Sequence, residues 1–168
     1  MSIAFIHEEL HKGRGLDTLN FSLYLEKLTG NLSKNYHVGN SDISLNLDLE
    51  KNVIFDVDIA IPLGIIVNEL VSNSFKYAFS GRNKGEIQIK LHKKDKNTEY
   101  VLFISDNGIG IPENVDFEKP DTLGLQLVSI LVDQIDGCIE LKRDHGTEFL
   151  ITFNVAERRV LPVSQSIF

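Results

Sequence analysis

Three polar side chains interrupt the most apolar helix-forming stretch of this sequence. Over residues 58–79, Leu63, Ile66, Val67, Leu70, Val71, Ser74 and Ala78 recur every three or four residues, the stripe of a core-facing helix. Glu69, Asn73 and Lys76 fall at i, i+4 and i+7, which lines up an acid, an amide and a cation on another face. Asparagine is a poor choice for mid-helix, and a solvated face ordinarily carries charges that pair with each other. Alone, these three residues would be read as a surface ladder on a core helix. They are not alone.

Downstream, residues 106–112 read Asp-Asn-Gly-Ile-Gly-Ile-Pro directly after a strand pattern. Asp106 places a carboxylate at the strand end, and Gly108 and Gly110 let backbone approach a flat or anionic group with no Cβ in the way. The same residues also make a good turn. Thr122 and Gly124 open a helix whose free N–H groups and dipole favour phosphate, although Thr122 is equally an ordinary cap. A third turn, His145-Gly146-Thr147, precedes the last strand. At the other end, His7-Glu8-Glu9-Leu10-His11 satisfies H-E-x-x-H, the zinc-peptidase signature with two imidazoles and a general base. Its third ligand is not evident, since Arg14 and Asp17 stand where the extended motif needs Gly and His.

The elements that must position these groups follow from periodicity and breakers. Residues 2–12 suggest a short amphipathic helix ended by Gly13 and Gly15. A second helix is expected from a cap at Asp17 or Thr18 through about residue 35, with Leu19, Leu23, Leu25, Leu28 and Leu32 on its apolar side. Residues 43–49 alternate as a half-buried strand, with 52–55 as a short partner strand. The central helix follows, with Pro62 placed in its first turn, where proline is tolerated. Strands are expected at about 85–94 and 100–105, then a loop over 106–121. A second core helix is expected over 122–135, with its stripe at Leu123, Leu127, Ile130 and Leu131. Strands at 138–142 and 148–154 close the fold, and the tail from 157 reads as frayed. Helices against a mostly antiparallel sheet make a two-layer α/β sandwich.

Composition narrows the function. The 168 residues allow one domain with a substantial core. The net charge of −7, with Lys and Arg scattered, argues against nucleic-acid or anionic-membrane surfaces. Cys138 is the only cysteine, so no disulfide framework exists and a reducing compartment fits. The longest uncharged apolar run, 59–67, is far short of the roughly 20 residues needed to span a bilayer. Glu8 and Glu9 stand where a signal peptide would be basic or apolar. A cytoplasmic domain is expected, without direct membrane contact. His37, His92 and His145 are isolated and read as surface or turn residues.

The order of the motifs resembles the GHKL (Bergerat-fold) ATP-binding domains, which include sensor histidine kinases, gyrase-type topoisomerases, Hsp90 and mismatch-repair ATPases. Residues 68–78 look like the N box, 106–110 the first glycine box, 122–125 the second, and Gly146-Thr147 the last. The resemblance covers roughly 17–157 and is nearest to the catalytic domain of two-component sensor histidine kinases. It implies a mixed, mostly antiparallel sheet covered on one face by helices, with ATP and Mg²⁺ as ligands. By resemblance Asn73 gives an oxygen to Mg²⁺, Glu69 polarises the nucleophile or a water, Lys76 contacts phosphate, and Tyr77 lies beside the nucleotide. Asp106 accepts from the adenine amino group, Gly108 and Gly110 shape the first loop, and Ile111 packs near the base. Thr122, Gly124 and Leu125 belong to the lid step, and Thr147 to the adenine pocket floor.

The resemblance further implies a response-regulator receiver domain as partner and a dimerisation/histidine domain that makes the whole protein a homodimer, with membrane anchoring of the full-length protein left open. Two departures stand out. The second glycine box has one Gly where many kinases have two. Only about 60 residues separate His7 from Asn68, too few for an acceptor helix, its partner helix and the start of the ATP domain. Residues 1–14 are therefore expected to be a remnant of the dimerisation helix, 15–157 the ATP-binding domain, and 158–168 a flexible tail. The phospho-accepting His would lie upstream, and this chain could not phosphorylate itself. The alternatives are a serine kinase of the anti-sigma-factor type, a nucleotide-binding module without turnover, and a zinc peptidase built on His7, Glu8 and His11.

Overall fold

The computed structural model describes residues 18–36, 42–94, 98–115 and 122–156. The expected N-terminal helix, the His7–Glu8–His11 pattern and the tail lie outside the described residues. The elements run β1 (Thr18–Asn20), α1 (Phe21–Tyr36), β2 (Asp42–Leu49), β3 (Ile54–Asp56) and α2 (Val57–Asn73), which continues into a π-turn (Ser74–Ala78). After these come β4 (Lys84–Lys93), β5 (Glu99–Asp106), α3 (Leu123–Gln134), β6 (Cys138–Lys142) and β7 (Thr147–Asn154).

The main sheet has the order β2-β4-β5-β7-β6, and β1 pairs with β3 in a separate two-stranded sheet. Within the main sheet β2 runs parallel to β4 and every other pairing is antiparallel. The parallel pair follows from chain direction: a crossover containing α2 separates β2 from β4, whereas hairpins join β4 to β5 and β6 to β7, and α3 with β6 intervenes between the antiparallel neighbours β5 and β7. Alternation along the strands turns Ile87, Ile89, Leu91, Leu102, Ile104, Phe149, Ile151 and Phe153 towards the helices, all buried. The helices α1, α2 and α3 cover that one face, which is the two-layer sandwich expected. Phe55 ties the small sheet to the large one, edge-on to Phe153 and Tyr100 with centroids 5.6 and 5.0 Å away.

Five local expectations are corrected. Residues 18–20 form a strand, so the first long helix begins at Phe21, with the Asn20 side chain accepting from the Leu23 N–H at 3.1 Å as its cap. Leu23 consequently faces outwards and is exposed, while Phe21 and Tyr24 take the core positions. The short strand after Asn52 pairs with β1 instead of β2. Pro62 lies inside α2, beyond its first turn, and is buried. The apolar face of α3 is Leu125, Val128, Leu131 and Val132; Leu123, Leu127 and Ile130 are exposed. Apolar residues occupy most of the circumference of α3, so periodicity alone does not choose the face; packing against α2 and the sheet does.

The helix Val57–Ala78 has the length and composition of a membrane span, with mean hydropathy 1.2 over its most apolar window, but its apolar side is buried in the domain core. It packs closely enough on α1 that Gly64 meets the Tyr24 ring, where any Cβ would lie 2.7 Å from the hydroxyl oxygen. That hydroxyl is buried with no hydrogen-bond partner among the described residues, and burial pushes its pKa up to about 12.

Candidate functional site

Helix α2 carries Glu69 and Asn73 on its half-buried side. Asn68 Nδ2 approaches Glu69 Oε1 at 3.5 Å, a long contact that holds the acid only loosely. The first turn of α3 packs directly over this pair. A Cβ on Gly124 would stand 2.9 Å from Glu69 Oε2 and 3.9 Å from Asn73 Nδ2, so glycine is what lets the α3 N-terminus come so near. Thr122 caps α3, its Oγ accepting from the Leu125 N–H at 3.4 Å and its carbonyl from the Gln126 N–H at 3.0 Å. The Leu125 side chain is in the core, so it points away from Glu69 and Asn73.

Beyond Asn73 the helix widens into the π-turn, and the face that placed Lys76 in line with Glu69 and Asn73 loses its α register there. Lys76 and Tyr77 are both exposed, Tyr77 at 65%. The end of the turn docks on the glycine loop after β5. The Ala78 carbonyl accepts from the Ile109 N–H at 2.8 Å, and a Cβ on Gly108 would overlap that same carbonyl.

Asp106 ends β5, 6% exposed, and both of its oxygens are engaged. Oδ2 accepts from Ser74 Oγ at 2.7 Å, and Oδ1 from the Gly108 N–H at 3.1 Å. Thr147, also buried, is its register partner on β7. Gly110 and Gly146 both have positive φ, +80° and +104°. A Cβ on Gly146 would overlap the Asp106 carbonyl, and one on Gly110 would lie 3.2 Å from the Gly146 carbonyl oxygen. The glycine turns thus close on the Asp106 backbone with no room for a Cβ at Gly146 and little at Gly110. Ile111 is half-buried against the core. Just beyond it, Arg143 donates through a terminal nitrogen to the Val115 carbonyl at 2.8 Å and pins the loop to the end of β6.

The described site residues therefore fall in two groups, Glu69–Asn73–Gly124 between α2 and α3, and Asp106–Gly108–Gly110–Thr147 at the sheet end, joined by the π-turn. Sequence reasoning missed Ser74, which it placed on the apolar stripe, and Arg143. A polar residue on a stripe of aliphatics was the one available signal for Ser74. A concavity of about 430 Å³ also opens beside Asp106, lined by Glu86, Gln88, Ser105, Lys142 and Glu148 among others. Strand alternation puts those side chains on the sheet face opposite the described helices; Asp106, Gly146 and Thr147 reach its rim, and Glu69, Asn73 and Lys76 do not line it. The convergence of side chains on the helix side defines the candidate site, and the concavity does not.

No group of three or more His, Cys, Asp or Glu among the described residues could hold a metal by itself. The side-chain oxygens of Asn73 and Glu69 nonetheless fit a hard divalent cation of the Mg²⁺ kind, which takes one or two protein oxygens and draws the rest from phosphates and water.

A helix-covered mixed sheet with an acid–amide helix and a buried strand-end carboxylate framed by glycines defines an ATPase class. Residues 58–157 match the family described as histidine kinase-, DNA gyrase B- and HSP90-like ATPase, and the chain belongs to that family. Residues 1–36 match a second family model, described as histidine kinase. Among curated relatives, the sensor histidine kinase PdtaS of Mycobacterium tuberculosis is 31% identical over 109 residues, which is 62% of this chain but only 21% of PdtaS. The serine-protein kinase RsbW of Listeria innocua is 30% identical over 119 residues, 62% of this chain and 72% of RsbW. The histidine kinase domain of the Erythrobacter litoralis EL346 blue-light activated histidine kinase has the same fold, with a TM-score of 0.83 at 23% identity, over 92% of this chain and 71% of that one.

Proposed function

We propose that this chain is the catalytic ATP-binding domain of a sensor histidine kinase, which presents the γ-phosphoryl group of ATP to a histidine on upstream dimerisation helices for relay to a response-regulator aspartate. One observation carries the reading: Asp106, buried and held by Ser74 and Gly108, lies at one end of the π-turn clamp, and Glu69 and Asn73 lie one helical turn before it under the α3 N-terminus. A carboxylate fixed as an acceptor suits the adenine amino group and opposes the guanine carbonyl. Thr147 and Ile111 would border the base, and Gly108 and Gly110 admit it. Lys76, Tyr77 and the 122–125 step would serve the phosphates. Asn73 would hold Mg²⁺, whose bound charge neutralises the phosphates, and Glu69 would polarise the incoming imidazole. Chemistry of this kind is positioning plus charge neutralisation, and it needs no nucleophile from this domain.

In this reading residues 1–14 are a remnant of the dimerisation helix, 15–157 the ATP-binding domain and 158–168 a tail, and the domain works in the cytoplasm with a receiver domain as partner. The RsbW match supports a second reading, a serine kinase on the same ATP site. The histidine-kinase match over residues 1–36 favours the first.

The test is calorimetric titration with a non-hydrolysable ATP analogue, with and without Mg²⁺, beside Asp106→Asn. Mg²⁺-dependent binding that Asp106→Asn weakens about a hundredfold is the expected result. No binding to the wild type at millimolar nucleotide would sink the reading. Supplying RsbW-type and receiver-type acceptors to the full-length protein separates the two kinases.

A further inference from the structure

We propose that Ser74 sets the base specificity of the site by fixing the plane of the Asp106 carboxylate. The inference rests on the reading of Asp106 as the group that meets the base. Ser74 occupies a core position, 8% exposed, between Val71 and Ala78 on a stripe otherwise made of aliphatic residues. A hydroxyl at such a position needs a partner, and it finds one 32 residues away in Asp106 Oδ2 at 2.7 Å. The opposite oxygen, Oδ1, is held by the Gly108 N–H at 3.1 Å. Rotation of the carboxylate about its Cβ–Cγ bond would break one bond or the other, so the two together determine its plane.

That plane decides what a base edge encounters. Each carboxylate oxygen has two acceptor sites, and each of these has one site filled by a protein donor. What remains is a pair of acceptors in a fixed plane, which matches an exocyclic amino group and is repelled by a carbonyl. Ser74 also opens the π-turn, whose far end is tied to the same loop through the Ile109 N–H and the Ala78 carbonyl. Helix and loop are therefore stitched at two points, and the Ser74 contact is the one that reaches the reading group. Ser74 is a positioning residue; it acts on the base through Asp106.

The experiment compares ADP with IDP, in which a carbonyl replaces the adenine amino group, on the full 168-residue chain by calorimetry. Ser74→Ala is expected to weaken ADP about tenfold and to change IDP less than twofold, so the ADP:IDP ratio falls. A packing role would weaken both nucleotides together. Ser74→Cys, close to serine in volume but a poor donor, is expected to give the same selective loss, and melting curves without nucleotide show whether each variant folds. Equal losses on ADP and IDP, an unchanged ratio, or unfolding of both variants would overturn the proposal. Failure of the wild type to bind ADP would instead overturn the nucleotide site itself.

Discussion

At the Asp106 end of the site, two hydrogen bonds and a frame of glycine backbone fix the functional side chain; at the Glu69–Asn73 end, one long contact does. Asp106 is buried, has both oxygens hydrogen-bonded, and is enclosed by glycines whose Cβ atoms would strike main-chain atoms. Glu69 and Asn73 are half-buried, Glu69 is held by a 3.5 Å contact with Asn68, and Gly124 faces the pair across the flexible end of Glu69. A group locked by main chain reads a rigid ligand with little further ordering on binding. A group held by a loose contact adapts as charge develops. On the proposed reading, the first half serves selection and the second chemistry.

The same substitution in the two halves tests that contrast most severely. Gly146→Ala forces a left-handed residue and a clash with the Asp106 carbonyl, and should cost about 3 kcal/mol and nucleotide binding with it. Gly124→Ala meets only the tip of Glu69 and gains helix propensity, so its stability should change by less than about 1 kcal/mol. Urea unfolding measures both, and equal losses would erase the distinction. Next in size, Asp106→Asn turns one of two acceptor oxygens into a donor, and ATP-analogue affinity should fall about a hundredfold with the fold intact. Glu69→Gln should separate binding from turnover: affinity within about threefold of wild type, phosphotransfer in the full-length protein down by about 10². A large loss of affinity there would mean Glu69 is a binding group. Smallest of all, Lys76→Ala, at an exposed position, should weaken ATP by about threefold at low ionic strength and not at all in high salt.

What the sequence disclosed were features carried by a few residues in local patterns. Alternation in residues 43–49 and 86–92 marked strands, the stripe from Leu63 to Ala78 marked the core helix, and the order of the glycine-bearing turns marked the family. What it concealed depended on partners distant in the chain. Thr18–Asn20 is a strand only because Ile54–Asp56 lies opposite. Leu123 and Ile130 look like core on a helix apolar nearly all round, and only the position of α2 leaves them outside. Ser74 reads as filler until Asp106 is brought beside it from 32 residues away. The displacement of Lys76 was hidden for another reason, since no residue type announces a π-turn.

That turn can also be viewed as a helix one residue too long. A π segment fits an extra residue into a single turn, with poorer hydrogen bonding than the α-helix it interrupts. Removing one residue from Ser74–Ala78 would let α2 run on regularly, and everything after the cut would rotate by about 100°. The Ala78 carbonyl would then leave Ile109, and the glycine loop would lose its seat. Length in this short segment is therefore a constraint of a different kind from residue identity. Substitutions at Lys76 or Tyr77 leave the frame standing, while a single-residue deletion between Asn73 and Phe79 would make a more regular helix and a dismantled site.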